Sequence, residues 1–420
     1  MTGNDRKPKV LIMTPGILPV PAVRGGAVET LITDIIDENE KEKAVDITVV
    51  TISDSDIPQD KYRHTRIIPV NKTVTCKFAD RLIDKILRTV HAPKAFLMFD
   101  RSLMKGLRAA ADISGFDVIV VENMVGLAEA VVKEAEEKGS RARIFVHLHN
   151  KTDMYRSVSG IKKLAQKGVT FLSVSKYIKS EILKEVPEAN ISVLYNGIDA
   201  KLLDRGLKDR REELREKYGI PTGSTVILYI GRIIAEKGVY ELVHSFVMHR
   251  KKEKGPGLFL VLAGGGVGMN GKMTDYEKKV QREITEACRS VKLLGRVPYD
   301  SIPEVYAAAD VLIVPTLVAE AFGMVVLEGM AMGLPIITTA TGGIPEVLED
   351  GKGCIKISKE RICEELTEVF DRIADEKFCN MLNEMGAHNL KIYKNKKRIG
   401  KEDYYDLFLS AVGINSEGTR

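Results

Sequence analysis

Short apolar runs recur along the chain and alternate with longer segments in which apolar residues return every three or four positions. Uninterrupted apolar runs bounded by glycine, proline or polar residues are typical of strands buried on both faces, and the other spacing is typical of helices packed on a sheet. The pattern therefore predicts an α/β fold with parallel sheets. The predicted strands are 9–14, 46–52, 116–122, 144–148, 170–174, 191–194, 226–230, 258–263, 291–294, 311–314 and 335–339.

Length and composition indicate two domains of this kind. A chain of 420 residues that is 44% hydrophobic can build two sizeable cores. The alternation of strands and helices pauses at the charged segment 200–217, which we interpret as the connection. We expect an N-terminal domain over 1–200 and a C-terminal domain over 201–395, each with a doubly wound Rossmann-like sheet. Beyond residue 352 the pattern predicts polar helices.

Residues 310–346 predict a strand, a loop, a helix and a second strand. The loop carries Glu320, Gly323 precedes a helix expected over 324–332, and Glu328 lies about one turn inside it. Both carboxylates therefore flank the amino end of a helix, which attracts phosphate groups. We interpret the helix amides as a diphosphate site and the carboxylates as acceptors for sugar hydroxyls. The alternative interpretation is that both glutamates are ordinary exposed charges.

The surroundings of Glu328 favour the ligand-binding interpretation. This residue lies between Leu327 and Met330 in a stretch that is otherwise nearly free of charge. A buried carboxylate without hydrogen-bond partners is unfavourable. We expect a bound ligand to supply those partners.

The run Glu320-Ala-Phe-Gly-Met-Val-Val-Leu-Glu328, with Gly-Leu-Pro at 333–335 and Thr-Gly-Gly-Ile-Pro-Glu at 341–346, resembles the retaining glycosyltransferases of family 4. The departure is Gly329, where that family commonly has alanine. The resemblance implies the GT-B fold, in which two doubly wound Rossmann-like domains face each other across a cleft. It also implies that a C-terminal helix within 396–420 crosses back to complete the first domain.

The resemblance implies a hexosyltransferase that needs no cofactor. The expected donor is a nucleoside-diphosphate sugar, uridine-linked as in UDP-glucose, UDP-galactose or UDP-N-acetylglucosamine, and the acceptor is a saccharide or a lipid-linked saccharide. Such enzymes take part in the synthesis of cell-surface polysaccharides and glycoconjugates. Retention implies that the acceptor attacks on the face that the diphosphate leaves, so no protein nucleophile is required.

Matching the family's motifs residue by residue implies four catalytic residues, His149, Glu320, Arg232 and Lys237. Arg232 and Lys237 would bind the diphosphate, while Glu320 would hold the sugar. His149, where strand 144–148 ends, is matched to a histidine that contacts the donor sugar, and whether His147 or His149 faces the cleft stays open. The implied donor-binding residues are Gly25, Gly26, Gly231, Arg232, Lys237, Gly295, Arg296, Val297, Glu320, Ala321, Phe322, Gly323, Met324, Val325 and Glu328, the last of which would hold the ribose.

Two glycine-rich runs follow predicted strands. Gly25 and Gly26 open a helix expected from about Ala27, which suits either a backbone-lined anion site or a tight turn, and the resemblance favours the anion site. The run 264–271 contains Gly-x-Gly-x-x-Gly, but the next strand ends in Gly-Arg at 295–296 rather than in the acidic residue of a dinucleotide site. We expect no nicotinamide cofactor.

We also expect no metal site. Asp54-Ser-Asp56 matches the Asp-x-Asp of metal-dependent glycosyltransferases of another fold, but its neighbours predict a solvated turn. His147 and His149 share one face of their strand, yet two histidines without a third ligand are usually structural. Cysteine spacing indicates neither a disulfide framework nor structural zinc; the cysteines are Cys76, Cys288, Cys354, Cys363 and Cys379.

Charge and the absence of targeting signals predict a cytoplasmic protein. A formal net charge of +5 is too dilute for a nucleic-acid binder without a basic cluster. No signal core opens the sequence, and no apolar run approaches the roughly 18 residues of a spanning helix. The stretch Lys77 to Lys94 predicts a basic amphipathic helix, which either packs on the N-terminal domain or docks on an anionic inner membrane face.

Two other functional classes stay open. A nucleotide-sugar epimerase or phosphorylase of similar fold would use a similar site without transfer to a saccharide acceptor. A non-catalytic protein would bind sugar nucleotides without turnover.

Overall fold

The computed structural model describes residues 6–58, 60–71, 97–150, 158–199, 206–252, 257–265, 273–285, 289–373, 375–395 and 400–414. The chain divides into two compact units. The first comprises Met1–Gly197 with Arg398–Arg420, and the second comprises Ile198–Lys397. The predicted amphipathic stretch Lys77 to Lys94 lies outside the described residues.

The first unit is built on a parallel sheet of seven strands in the order β3-β2-β1-β4-β5-β6-β7. Val118–Glu122 is buried along its whole length, as an apolar run in the middle of a sheet should be. The strands are β1 Lys9–Met13, β2 Asp46–Ile52, β3 Thr65–Val70, β4 Val118–Glu122, β5 Arg143–Leu148, β6 Thr170–Ser173 and β7 Ile191–Val193.

Among the described residues of the first unit, five helices lie between these strands in the sequence. Ser175 caps one of them, since its Oγ accepts a hydrogen bond of 3.1 Å from the amide of Ile178, as expected for serine at a helix start. The helices are α1 Ala27–Glu42, α2 Leu97–Ala110, α3 Val125–Glu137, α4 Val158–Gln166 and α5 Lys176–Glu185.

The second unit has a parallel sheet of six strands in the order β10-β9-β8-β11-β12-β13. Its strands are β8 Thr225–Ile230, β9 Leu258–Ala263, β10 Val291–Gly295, β11 Val311–Val314, β12 Ile336–Thr338 and β13 Cys354–Lys356. Its helices are α6 Arg211–Lys217, α7 Val239–Lys252, α8 Asp275–Thr285, α9 Ile302–Ala308, α10 Met324–Ala331, α11 Ile362–Arg372 and α12 Glu376–Asn395.

Asp310 anchors helix α6 to the second sheet. Its carboxylate accepts hydrogen bonds from Arg215, at 2.6 Å, and from the amide of Val226 at the start of β8, at 2.7 Å, and it also pairs with Arg211. The charged segment 200–217, predicted to be a connection, therefore contains a helix that packs on the second unit.

The C-terminal helix α13, Lys401–Ala411, packs against α1 in the first unit. The hydroxyl of Tyr405 donates a hydrogen bond of 2.6 Å to Oδ1 of Asn39, and both residues are buried. Gly197 also lies close to this helix, because a Cβ atom added there would stand 2.6 Å from Cβ of Tyr404.

The predicted strands are confirmed to within two residues at each end, but two short edge strands were missed. β3 has exposed residues at Arg66 and Pro69, so it lacks an uninterrupted apolar run. β13 interrupts the region beyond residue 352 that was predicted to be helical. Within the described residues, no helix is long and apolar enough to cross a bilayer.

Candidate functional site

In the second unit, the candidate residues gather at the carboxyl edge of the sheet. The chain runs from β8 to β9 and β10 on one side and returns to β11 on the other, so the strand order reverses between β8 and β11. In open α/β sheets, ligands bind outside the carboxyl ends of the strands at such a reversal. The loops that follow β8, β10 and β11 carry Arg232, Arg296 and Glu320.

Glycines allow the loops after β8, β9 and β10 to approach one another closely. The amide of Gly231 donates to the carbonyl of Ala263 at 2.9 Å, and the amide of Gly264 donates to the carbonyl of Gly295 at 2.7 Å. Gly264 has a φ of +140°, and a Cβ atom there would lie 1.8 Å from the carbonyl oxygen of Gly231. A side chain at this position would separate the loops.

The element 231–238 is also tied to the loop that carries Glu320. The amide of Leu317 donates to the carbonyl of Glu236 at 2.9 Å. At Gly238, whose φ is +66°, a Cβ atom would lie 2.0 Å from the carbonyl oxygen of Pro315. Two loops that are far apart in sequence therefore form one rigid edge.

Lys237 and Glu320 form an ion pair across these two loops. Nζ of Lys237 lies 2.5 Å from Oε1 of Glu320, with side chains 25% and 16% exposed. The guanidinium of Arg232 is exposed, and no carboxylate pairs with it in the part of the chain that the structure describes. The loop after β8 thus carries Arg232, whose charge no carboxylate balances among the described residues, and Lys237, whose charge is balanced by Glu320.

The Thr-Gly-Gly run at 341–343 holds the backbone of Glu320. The amide of Glu320 donates to the carbonyl of Thr341 at 3.3 Å, and its carbonyl accepts from the amide of Gly343 at 2.8 Å. Gly342 has a φ of +75°, and a Cβ atom there would lie 2.1 Å from the carbonyl oxygen of Glu320. The glycines are therefore required by this contact.

The residues from Ala321 to Val325 form the amino end of α10. Gly323 precedes the helix with a φ of +96°, and Phe322 is buried. Glycine suits this left-handed conformation, which turns the chain sharply into the helix. Arg296 and Val297 follow β10 on the same sheet, with Arg296 exposed.

Glu328 has a protein partner that the sequence did not indicate. The hydroxyl of Tyr306, at the buried face of α9, donates a hydrogen bond of 2.6 Å to Oε2 of Glu328. Burial raises the pKa of Glu328 to about 7, although the hydrogen bond from Tyr306 opposes the rise. Tyr306 therefore supplies one of the partners that a bound ligand was expected to supply.

In the first unit, Gly25 and Gly26 precede α1 with φ angles of +72° and +107°. The carboxylate of Glu29 folds beneath them, because a Cβ atom on Gly26 would lie 2.2 Å from Oε2 of Glu29. Burial raises the pKa of Glu29 to about 7 despite two backbone hydrogen bonds that lower it. Nothing in the local sequence pattern indicates a role for Glu29. A carboxyl group with a raised pKa beside a glycine loop is nevertheless a candidate for a functional site.

His147 and His149 lie together with Glu122, the last residue of β4. Oε2 of Glu122 is 2.9 Å from Nε2 of His149 and 3.1 Å from Nδ1 of His147, and the two imidazole rings are 4.1 Å apart. The expectation that the histidines lack a third potential metal ligand is wrong, since the three groups lie within 4.8 Å of one another. Glu122 was missed because nothing in the local pattern marks a strand-end glutamate.

The turn containing Asp54 and Asp56 is solvated, as predicted. Arg24 pairs with both carboxylates at 2.9 Å. The hydrogen bond from Arg24 lowers the pKa of Asp54. These carboxylates are therefore occupied by a protein cation.

Sequence comparison finds a similarity between the second unit and a known family. Residues 210–389 match the family described as glycosyl transferases group 1. The chain is 29% identical over 235 residues to the lipopolysaccharide 1,2-N-acetylglucosaminetransferase of Salmonella typhimurium, which is 56% of this chain and 57% of that protein. It therefore spans less than two thirds of the Salmonella protein. It is also 28% identical over 340 residues to the putative glycosyltransferase YtcC of Bacillus subtilis, covering 79% of this chain and 75% of YtcC.

Solved structures share the fold over nearly the whole chain. Anabaena HepE, in complex with UDP and glucose, gives a TM-score of 0.68 at 16% identity and covers 97% of this chain and 99% of its own. WaaG, a glycosyltransferase involved in lipopolysaccharide biosynthesis, gives a TM-score of 0.66 at 17% identity. The match covers 97% of this chain and 100% of the WaaG chain. The predicted α/β fold of the GT-B class is thereby confirmed. The sequence similarity to the group 1 glycosyl transferases lies within the second unit, at residues 210–389.

Proposed function

We propose that the chain, whose residues 210–389 match the group 1 glycosyltransferases, moves a sugar from a uridine-diphosphate sugar to a saccharide or lipid-linked acceptor. The observation that carries the proposal is the set of charged groups around the start of α10, where Glu320 and Lys237 pair and Glu328 lies one turn inside. The HepE structures with UDP and with UDP-glucose support a donor of this class.

The diphosphate binds to Arg232, Lys237 and the amide groups at residues 322–325. Arg232 is exposed and offers a planar set of donors that suits phosphate oxygens. The first amides of α10 have no acceptor within the helix and lie at its positive end. Because Lys237 already contacts Glu320, it can bind the diphosphate and the carboxylate that holds the sugar at the same time.

Glu328 binds the ribose and Glu320 binds the sugar. Tyr306 occupies one oxygen of Glu328 and fixes the side chain, which leaves acceptor capacity for ribose hydroxyls, since an ionised carboxylate accepts about four hydrogen bonds. Glu320 is held by its backbone and by Lys237, so its carboxylate is preorganised. His149 of the first unit contacts the donor sugar, a role that comes from the resemblance to family 4.

The reaction proceeds with retention and without a protein nucleophile. The bond between the anomeric carbon and the diphosphate oxygen breaks, the acceptor oxygen bonds to that carbon on the same face, and the acceptor proton passes to the departing phosphate. Arg232 and Lys237 stabilise the negative charge that develops on the diphosphate, so no divalent metal is needed.

The reaction takes place on the cytoplasmic side of a membrane that carries the acceptor. The basic stretch Lys77 to Lys94 supports this location, since each basic residue near an anionic surface contributes about 1 kcal/mol. Co-sedimentation with anionic and neutral vesicles tests it, with Lys77, Arg81, Lys85 and Arg88 changed together to glutamine in the comparison protein. Equal sedimentation of the two proteins would contradict it.

A donor panel tests the proposed activity. The full chain is incubated with UDP-glucose, UDP-galactose and UDP-N-acetylglucosamine, with and without saccharide and lipid-linked acceptors, and products are identified by mass spectrometry. The proposal predicts a new glycoside that requires both donor and acceptor. A donor converted to its epimer without acceptor, or donor binding without any turnover, would contradict it in favour of the two other classes.

A further inference from the structure

Glu122 is a buried carboxylate that holds two histidines through one oxygen atom. Its side chain is 2% exposed, and Oε2 lies 2.9 Å from Nε2 of His149 and 3.1 Å from Nδ1 of His147. Glu122 and His147 are direct partners on the adjacent strands β4 and β5. A carboxylate at this depth is stable only with such partners.

Asn123, the residue after Glu122, also holds the backbone near His149. Oδ1 of Asn123 accepts a hydrogen bond of 3.0 Å from the amide of His149, and the amide of Asn123 donates to the carbonyl of His147 at 2.8 Å. Asn123 has a φ of +59°, a conformation that is uncommon outside glycine and concentrates at functional sites. Glu122 and Asn123 therefore hold the carboxyl end of β5 through both side-chain and backbone hydrogen bonds.

The hydrogen bond to Glu122 selects one tautomer of His149. An ionised carboxylate can only accept, so Nε2 of His149 must carry the proton. The neighbouring histidines outweigh burial and lower the pKa of Glu122 to about 2, and burial together with His147 lowers the pKa of His149 to about 4. A neutral imidazole with its proton on Nε2 has a lone pair on Nδ1.

The two histidines differ in how far their remaining nitrogen atoms can be reached. Nδ1 of His147 lies 3.1 Å from Oε2 of Glu122 but outside hydrogen-bonding geometry, both of its ring nitrogens are sealed from solvent, and its side chain is 1% exposed. His149 keeps 8% of its side chain exposed, against 1% for His147. His149 is therefore the histidine that can meet a ligand.

We propose that Glu122 is a positioning residue, which accepts the Nε2–H group of His149 and so keeps Nδ1 as an acceptor for a hydroxyl group of the bound donor sugar. The identity of the ligand rests on the proposed function, whereas the tautomer rests on the geometry of Glu122 and the histidines alone. His147 supports the same carboxylate from the neighbouring strand.

The surroundings favour a hydrogen-bonded cluster over a metal site. A histidine that binds a metal almost always donates its other ring N–H to a protein oxygen. Nε2 of His147 has no such partner in the described part of the chain. A metal ion held by Glu122, His147 and His149 is nevertheless a measurable alternative and is included in the test.

Nitrogen NMR of the histidine-labelled full chain tests the tautomer without reference to activity. The resonances of His149 are assigned with His149→Gln, and the proposal predicts a protonated Nε2 and an unprotonated Nδ1 at neutral pH. Glu122→Gln should mix the tautomers, whereas Glu134→Gln, which removes a buried glutamate paired with Arg108, should not. A proton on Nδ1 in the wild type, or one equivalent of bound zinc that Glu122→Gln abolishes, would overturn the proposal.

Kinetics test the contact with the sugar. Glu122→Gln should lower kcat/KM for the donor roughly tenfold, the value of one hydrogen bond, with the affinity for free UDP unchanged. This loss should disappear with a deoxy donor that lacks the contacted hydroxyl group. Equal losses of kcat/KM in Glu122→Gln with all deoxy donors would overturn the proposed contact. If the wild type transferred no sugar from any donor, the proposed function would be refuted, and the tautomer would still be decided by NMR.

Discussion

Lys237 and Glu320 form an ion pair of 2.5 Å between two loops at the carboxyl edge of the second sheet. The pair joins the residue assigned to the diphosphate with the residue assigned to the sugar. Their backbones are held by glycines that permit contacts no side chain could allow, at Gly238 and Gly342. The pair is thus a preformed link between two parts of one proposed ligand.

Replacing Lys237 should weaken nucleotide binding. In Lys237→Met the diphosphate loses a charged donor, and Glu320 remains as an unbalanced negative charge beside it. We expect the affinity for UDP to fall about tenfold to a hundredfold, as measured by calorimetry. Lys352→Met removes a lysine that pairs with Glu349 on the surface of the same unit and should leave the affinity unchanged. Equal losses in the two variants would refute the role of Lys237.

The two carboxylates at α10 should respond differently to two ligands. Glu328→Ala should weaken both UDP and the UDP-sugar, because the ribose is common to them. Glu320→Ala should weaken mainly the UDP-sugar. Calorimetric titration of each variant with each ligand measures the difference, and equal losses for both variants with both ligands would contradict the assignment.

Glu328 should lower the stability of the fold at neutral and alkaline pH. Its pKa is raised from 4.5 to about 7 in the folded chain, so the folded state binds more protons than the unfolded state between these values. Stability therefore falls as pH rises through this window and stays lower above it. Glu328→Gln should add about 3 kcal/mol at pH 8 and almost nothing below pH 4.5.

Thermal unfolding of the wild type and Glu328→Gln at both pH values measures this effect. The exposed Glu349, changed to glutamine, is the matched control and should show no gain at pH 8. A gain for Glu328→Gln that is the same at both pH values would show that packing, and not charge, is responsible.

Catalysis should survive removal of divalent metals. Arg232 and Lys237 supply positive charge at the diphosphate, and the carboxylates of Asp54 and Asp56 are paired with Arg24. Transfer rates before and after treatment with a chelator should agree within error. If a chelator abolished activity and manganese restored it, this prediction would be contradicted, and Asp54 and Asp56 would be the candidate metal ligands.

The sequence predicted the strands other than Thr65–Val70 and Cys354–Lys356 because they are largely apolar runs, which can be recognised without long-range information. The edge strand Thr65–Val70 was missed because Arg66 and Pro69 interrupt its apolar residues. The motif residues around α10 were predicted because the loop, glycine and helix are neighbours in the chain.

The partners of the candidate residues could not be predicted from local patterns. Tyr306 reaches Glu328 across 22 positions, and Glu122 reaches His149 across 27. Each contact joins segments that only the folded sheet brings together. In the sequence, Tyr306 is indistinguishable from an ordinary core aromatic residue. Lys237 and Glu320, 83 positions apart, were assigned separate contacts with the donor for the same reason.

The transfer rate of Glu320→Gln, compared with the wild type, tests whether the active site lies at the carboxyl edge of the second sheet. Both proteins are assayed with the UDP-sugar and acceptor that give product in the donor panel, beside the matched surface variant Glu349→Gln. We predict wild-type transfer by Glu349→Gln and a loss of at least about a hundredfold in kcat for Glu320→Gln, because charge stabilisation at the reacting sugar is removed. Equal rates for the three proteins would contradict the placement of the active site at the carboxyl edge of the second sheet.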